Sequence, residues 1–205
     1  MKAHQFSPKR GRAAVGALIG LAALPLAACG GASGGSTGSS PAPSSATPPS
    51  SATPPSATAI TVRSPAFGAG AMIPVRFSCR GSNTPIPLAW AGIPAGAASV
   101  ALIMDDPDAP SGTFTHWVVF NLPVTSRGIT NGRLPAGAAQ AQNGRGQAAY
   151  TGPCPPSGTH HYRFTVYAEP RKLPLQAGAS LTEALAAIRA NPLASGRLTG
   201  LFASG

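Results

Sequence analysis

The sequence predicts a mostly β domain, a sandwich of short strands with one helix near the C-terminal end. Apolar and aromatic segments of six to nine residues recur between Gly- and Pro-rich stretches, and one convincing helical pattern occurs late in the chain. The folded domain is expected to run from residue 59 to residue 205. This length fits a single domain with its own core.

The predicted strands are rich in β-branched and aromatic residues, which suit a pleated surface. They are the segments 73–78, 99–105, 114–121 and 161–169. In the last segment, every second residue from Tyr162 to Ala168 is apolar, so one face is expected to be buried. The helix is predicted to begin with a capping box at Ser180 and to end at Asn191, before a proline.

The first 28 residues have the pattern of a secretory signal peptide. Four basic residues precede an uncharged apolar run at 13–27, which is too short to span a bilayer as a mature helix. The run ends in Leu-Ala-Ala-Cys at 26–29, which resembles the lipobox of bacterial lipoproteins, where the cysteine is lipidated and becomes the new N-terminus. We therefore expect Cys29 to carry lipid chains such as palmitate. The alternative is an ordinary cleaved signal with an incidental cysteine.

Residues 29–58 are predicted to form a disordered tether behind the lipidated cysteine. They consist of Gly, Ser, Ala, Thr and Pro after Cys29, and no charged residue occurs between Arg12 and Arg63. Such a segment cannot bury enough apolar surface to offset its conformational entropy. We expect it to hold the domain off the cell membrane, on the extracytoplasmic face.

The charge balance makes nucleic acid an unexpected partner. The chain has 15 Lys and Arg against 5 Asp and Glu, a formal net charge of +10. Removal of the four basic residues of the signal lowers this charge to +6, and the remaining basic residues occur singly rather than in runs. The exported domain is therefore expected to have a cationic surface that tolerates anions.

The cysteine count predicts one disulfide. If Cys29 carries lipid, Cys79 and Cys154 remain, and two cysteines in an oxidising compartment are expected to pair. A bridge across 75 positions stabilises a domain by about 4 kcal/mol in the chain-entropy model. Neither cysteine belongs to a Cys-x-x-Cys pair, so we expect no redox role, no metal and no cofactor.

The segment 114–121 places a histidine among large apolar residues. Strand alternation puts His116 on the same face as Phe114, Val118 and Phe120, so its ring is expected to be at least partly buried. An isolated histidine in such a setting is most often a core residue whose ring is satisfied by a backbone carbonyl.

A second tract, at 152–162, brings further imidazoles to the start of a strand. His160 and His161 follow a Gly- and Pro-rich loop, which allows backbone N–H groups to approach a ligand. In addition, three of the five acidic residues lie within positions 105–108, a density that indicates a partner or a turn rather than solubility. The imidazoles and carboxylates of these tracts can converge on one site.

These motifs are specific enough to suggest a family. Asp-Pro-Asp-Ala-Pro at 106–110, the motif at 116–123 and the tract at 152–168 resemble the paired motifs of the phosphatidylethanolamine-binding protein family, in its bacterial Raf kinase inhibitor-like branch. The segment 77–94 is also similar to that branch, and the match covers most of 67–202. The resemblance implies a β-sandwich with a helix near the end, in agreement with the strand pattern.

The resemblance also implies a shallow anion pocket. Its central residues would be Asp106, His116 and His160, with flanking positions at Asp108, Pro155, Pro156 and Tyr162. Both central histidines are then expected to donate to phosphate-like oxygens, while Asp106 orients a histidine or receives the amine of a headgroup. Asp105 is expected to be a solvated turn residue.

Three hypotheses for the function remain. The preferred one is a membrane-tethered, extracytoplasmic binding protein for small anionic or phospho-headgroup ligands. The alternative is a protein-interaction inhibitor of a protease or kinase. A kinase is the less expected target, because the domain is expected to lie outside the cytoplasm. A hydrolase or metal site comes third, because residues 59–205 contain no Gly-x-Ser-x-Gly motif and a metal would require both histidines and Asp106 to form a closed cluster. We therefore do not expect an enzyme.

Overall fold

The computed structural model describes residues 59–130 and 132–205. The predicted signal peptide 1–28, Cys29 and the tether up to residue 58 lie outside the described residues. In chain order the strands are β1 Thr61–Arg63, β2 Leu88–Ala91, β3 Ser99–Asp106, β4 Phe114–Leu122, β5 Gly128–Ile129, β6 Ala139–Gln140, β7 Thr159–Glu169 and β8 Ala194–Ala203. The α-helix, α1 Leu181–Arg189, lies between β7 and β8, and a short 3-10 helix, Val75–Phe77, lies between β1 and β2.

The strands form two antiparallel sheets. The smaller sheet has the order β1-β2-β5, and the larger has the order β6-β4-β3-β7-β8. The predicted mostly β sandwich with a helix near its C-terminal end is confirmed. None of the helices in residues 59–130 and 132–205 has the length and apolar character needed to cross a bilayer.

The core has two parts, one on each face of the larger sheet. Val100, Leu102 and Met104 of β3 pack into the cluster between the two sheets. Ala101 and Ile103 point the other way, into a second cluster that α1 covers. Because β3 is buried on both faces, its sequence is a continuous apolar run rather than an alternation.

Two local predictions are confirmed. In β7 the apolar face of Tyr162, Phe164, Val166 and Ala168 is buried as expected, and Thr165 on the other face is buried as well. The α1 helix is capped by Ser180, whose hydroxyl accepts a hydrogen bond from the Glu183 amide at 3.3 Å. The helix ends at Arg189, two residues before Asn191.

The predicted strand at 73–78 is wrong. Ile73 donates its amide to the Leu201 carbonyl of β8, but pairing stops there because Pro74 has no N–H to continue a ladder. The chain turns instead into the 3-10 helix, with the Phe77 amide bonded to the Pro74 carbonyl at 3.0 Å.

The predicted disulfide is present. Cys79 and Cys154 are bonded, with their Cα atoms 5.5 Å apart. The bridge joins the chain just after the 3-10 helix to the loop that precedes β7, and that loop forms one wall of the site described next.

Candidate functional site

The site begins at a β-bulge in β4. The register pairs Met104 with Trp117 but Asp105 with Thr115, so β4 has one more residue than β3 at this point. That extra residue is His116. A bulge interrupts the alternation of side chains and redirects the residue that it contains.

The bulge changes what the His116 ring contacts. Its ring is edge-on to Tyr162, with centroids 5.2 Å apart, and edge-on to Phe114 at 4.7 Å. Val118 and Phe120 belong instead to the cluster beneath α1. The prediction that His116 shares a face with Phe114 holds, whereas the face predicted in common with Val118 and Phe120 is wrong.

A backbone carbonyl determines which nitrogen of His116 carries hydrogen. Nδ1 lies 2.8 Å from the Thr151 carbonyl oxygen, which can only accept, so Nδ1–H donates. Burial lowers the pKa of His116, although the Thr151 carbonyl and the Asp106 carboxylate oppose this shift. The free protein therefore holds a neutral ring at pH 7, whose Nε2 is an acceptor. The hydrogen bond to Thr151 agrees with the alternative of a core histidine satisfied by a backbone carbonyl. His116 nevertheless also lines a cavity.

His160 is oriented by Asp106. His160 Nδ1 lies 2.8 Å from Asp106 Oδ2, and both residues are buried. Because a carboxylate accepts, Nδ1–H donates to it and Nε2 remains for other partners. The other oxygen of Asp106, Oδ1, accepts from the Asp108 amide at 2.8 Å, so this carboxylate also shapes the turn after β3.

Asp108 ties that turn to the beginning of β7. Its Oδ2 accepts from the His161 amide at 2.7 Å and faces His161 Nδ1 at 2.8 Å. These hydrogen bonds lower the pKa of Asp108. The Asp108–His161 pair is exposed and does not line the cavity, so its role is to hold the turn.

Tyr162 has a buried hydroxyl without a hydrogen-bond partner among the described residues. Burial raises the pKa of this phenol, and the nearby Asp106 carboxylate raises it further, so the hydroxyl remains protonated. Tyr162 contacts the His116 ring from behind but is not part of the cavity lining.

These elements surround a cavity of about 180 Å³. Its lining is formed by Asp106, Ala109, Pro110, Phe114, His116, Arg145, Thr151, Gly152, Cys154, Pro156 and His160. Four of the seven residues predicted for the pocket therefore line it. The other three, Asp108, Pro155 and Tyr162, are not among the lining residues.

Sequence reasoning missed Arg145 and the wall made by Phe114. Arg145 lies in an irregular loop between β6 and β7, where no periodic pattern indicates which residues face a site. The sequence gives one indication of its role: Arg145 is a single basic residue between two glycines, in Asn-Gly-Arg-Gly at 143–146.

The expectation for Asp105 is wrong. This residue is buried in β3, and Arg163 of β7 binds both of its oxygens, with Nε at 2.7 Å and Nη2 at 3.0 Å. Arg189 at the end of α1 lies 3.7 Å away. Asp105 and Arg163 therefore form a structural ion pair within the larger sheet. The described residues contain no group of three or more His, Cys, Asp or Glu side chains arranged to hold a metal ion.

Comparison with known proteins identifies the family. The family model for phosphatidylethanolamine-binding protein matches residues 63–203. This chain belongs to that family. It is 44% identical over 190 residues to a Mycobacterium tuberculosis protein named "Putative lipoprotein LppC", covering 91% of this chain and 94% of the relative. It is also 44% identical over 151 residues to a UPF0098 protein of Methanothermobacter thermautotrophicus, covering 71% of this chain and 100% of the relative.

The fold comparison agrees with this assignment. The crystal structure of YbcL from E. coli, described as a member of the mammalian phosphatidylethanolamine-binding protein family, superposes with a TM-score of 0.67 at 32% identity. The match covers 71% of this chain and 99% of YbcL. The family resemblance of the motifs and the family sandwich are thus confirmed.

Proposed function

We propose that this family member is a binding module, not an enzyme, for small phosphate-like anions. The observation that supports this most directly is the hydrogen-bonded His160–Asp106 pair, which faces the same cavity as His116. Two imidazoles whose Nδ1 atoms are fixed by acceptors present their Nε2 atoms as the remaining polar groups. Such groups accept from a phosphate hydroxyl or an ammonium group when neutral, and donate to an anion when protonated.

We further propose that the domain is held at the extracytoplasmic face of the cell membrane by a lipid on Cys29. Two observations support this location. The segment 26–29 resembles a lipobox, and a relative that aligns over 91% of this chain is named as a lipoprotein. The phospholipid headgroup or free phosphate would then be met outside the cytoplasm.

Calorimetric titration of inorganic phosphate and of phosphoethanolamine tests the binding role. The His160→Ala variant should bind each ligand more weakly by about 1.5 to 3 kcal/mol, the scale of a charge-assisted hydrogen bond. The matched control is His161→Ala, because His161 is exposed and does not line the cavity. Equal affinity of wild type and His160→Ala would make His160 a structural residue, and inhibition of a protein partner would become the leading hypothesis.

The pH dependence separates an anion site from a metal site. Sulfate is a suitable probe because its charge does not change between pH 6 and pH 8. Its affinity should fall over this range, because sulfate has no hydrogen to donate and binding it favours a protonated imidazole, which a rise in pH opposes. A metal ion would show the opposite trend, because protons compete with the metal for imidazole nitrogen.

A further inference from the structure

The loop 143–147 is held in one conformation by a buried side chain. Asn143 donates from Nδ2 to the Ala149 carbonyl at 2.9 Å and to Thr151 Oγ1 at 3.0 Å. Its Oδ1 accepts from the Arg145 amide at 2.8 Å. The nitrogen and the oxygen of the Asn143 side-chain amide thus both have hydrogen-bond partners. These bonds fix the backbone that carries Arg145 relative to Thr151, a residue of the cavity wall.

The same loop sits directly on β4. Gly144 donates its amide to the Thr115 carbonyl at 2.8 Å, next to the bulge at His116. A Cβ atom at Gly144 would lie 2.6 Å from the Phe114 ring, so any larger residue here would require that ring to move. The loop therefore places Arg145 in the lining of the cavity that Phe114 and His116 also line.

Arg145 is the cavity residue with a permanent positive charge. Its guanidinium pairs with no carboxylate in the described part of the chain, and its charge is one of the causes that lower the pKa of His116, after burial. The Asp106 carboxylate in the same cavity already accepts from His160 and from a backbone amide. With His116 neutral, Arg145 is left as an unpaired cation facing the cavity.

We propose that Arg145 is a specificity-determining residue that binds the anionic oxygens of a phosphate group, an inference that rests on the proposed function. A guanidinium presents a planar fork of donors that matches two phosphate oxygens. At pH 7.5 a phosphate monoester is mainly a dianion, because its second pKa is about 6, so it offers the guanidinium more negative charge than a diester does. A phosphodiester is a monoanion, so the site favours a free phosphate or a monoester over the headgroup of an intact lipid.

The test compares four proteins at pH 7.5 by calorimetry: wild type, Arg145→Gln, Arg145→Lys and Arg127→Gln. Arg127 is exposed and does not line the cavity, so its variant carries the same charge change elsewhere on the domain. The titrants are phosphoethanolamine, a monoester, and glycerophosphoethanolamine, a diester with the same amine. Arg145→Gln should bind the monoester at least about tenfold more weakly than wild type, Arg145→Lys should recover part of the loss, and Arg127→Gln should bind as wild type does.

The outcomes separate this inference from the proposed function. If wild type binds the monoester and Arg145→Gln binds it equally well, the role of Arg145 is overturned while the binding function stands. If wild type binds neither titrant nor inorganic phosphate, the binding function itself is overturned. Equal affinity of wild type for the monoester and the diester would overturn the preference for a phosphate dianion. Binding of the monoester that is about tenfold tighter supports it.

Discussion

At the scale of single residues, Glu169 is a buried acidic residue that lies outside the candidate site. It is the last residue of β7 and only 2% exposed, and its Oε1 has no hydrogen-bond partner among the described residues. Burial raises the pKa of Glu169 to about 7, although Arg171 opposes the shift. Its pKa when folded therefore lies above the ordinary value of 4.5, and the folded state favours the protonated carboxyl.

This pKa predicts a loss of stability as the pH rises. The favourable contribution of the neutral carboxyl is fully present below pH 4.5 and is lost as the pH rises through about 7. Glu169→Gln should therefore raise the free energy of unfolding relative to wild type by about 2 kcal/mol at pH 8 and much less at pH 5. Urea unfolding at both pH values measures this difference, with Glu183→Gln, an exposed residue of α1, as the control. A gain that is the same at both pH values would contradict the prediction.

At the scale of elements, the strands that sequence reasoning missed depend on their neighbours. β8 contains Gly196 and Gly200, which weaken a strand pattern. Both glycines are required by packing, because the Ile60 carbonyl lies against Gly196, and the Phe67 and Ile73 side chains lie against Gly200. Periodicity within β8 could not reveal contacts made by residues more than a hundred positions away.

The disulfide is the element-scale feature that supports the site. Cys154 lines the cavity, and its bond to Cys79 anchors the loop before β7. Replacement of both cysteines by alanine should lower the free energy of unfolding by about 2 to 4 kcal/mol, since the open chain regains loop-closure entropy when unfolded. Denaturant unfolding measures the loss. Alkylation of the exported wild-type domain followed by intact-mass analysis should detect no free thiol at these positions, and two alkylated cysteines would contradict the pairing.

At the scale of the whole molecule, we propose a folded domain that a lipid-anchored tether joins to the membrane. A mature segment of Gly, Ser, Ala, Thr and Pro has no apolar face for a bilayer, so the attachment would depend on the lipid at Cys29. The charge of the domain, with basic residues spread singly, adds little to that attachment.

Replacement of Cys29 by serine tests the anchor. The Cys29→Ser variant should leave the membrane fraction, because several lipid chains provide the strong part of the attachment. Fractionation followed by immunoblotting measures the distribution, and Ser33→Ala in the same tether is the control. Membrane association that persists in Cys29→Ser would count against the lipoprotein interpretation.

The sequence by itself determined what depends on local pattern: the buried face of β7, the Ser180 cap, the cysteines available to pair, and the family motifs around His116 and His160. Local patterns encode these features because alternation, capping and motif spacing involve residues only a few positions apart. Only the tertiary structure decided the rest.

Three features of the site could not be predicted from local sequence patterns. The bulge that turns His116 toward Tyr162 arises from the register between β3 and β4. The buried ion pair of Asp105 requires Arg163, 58 positions later in the chain. Arg145 reaches the cavity because a loop of no regular structure is fixed against β4. Each depends on the pairing of distant segments, which sets side-chain direction and burial but leaves no periodic signal in either segment alone.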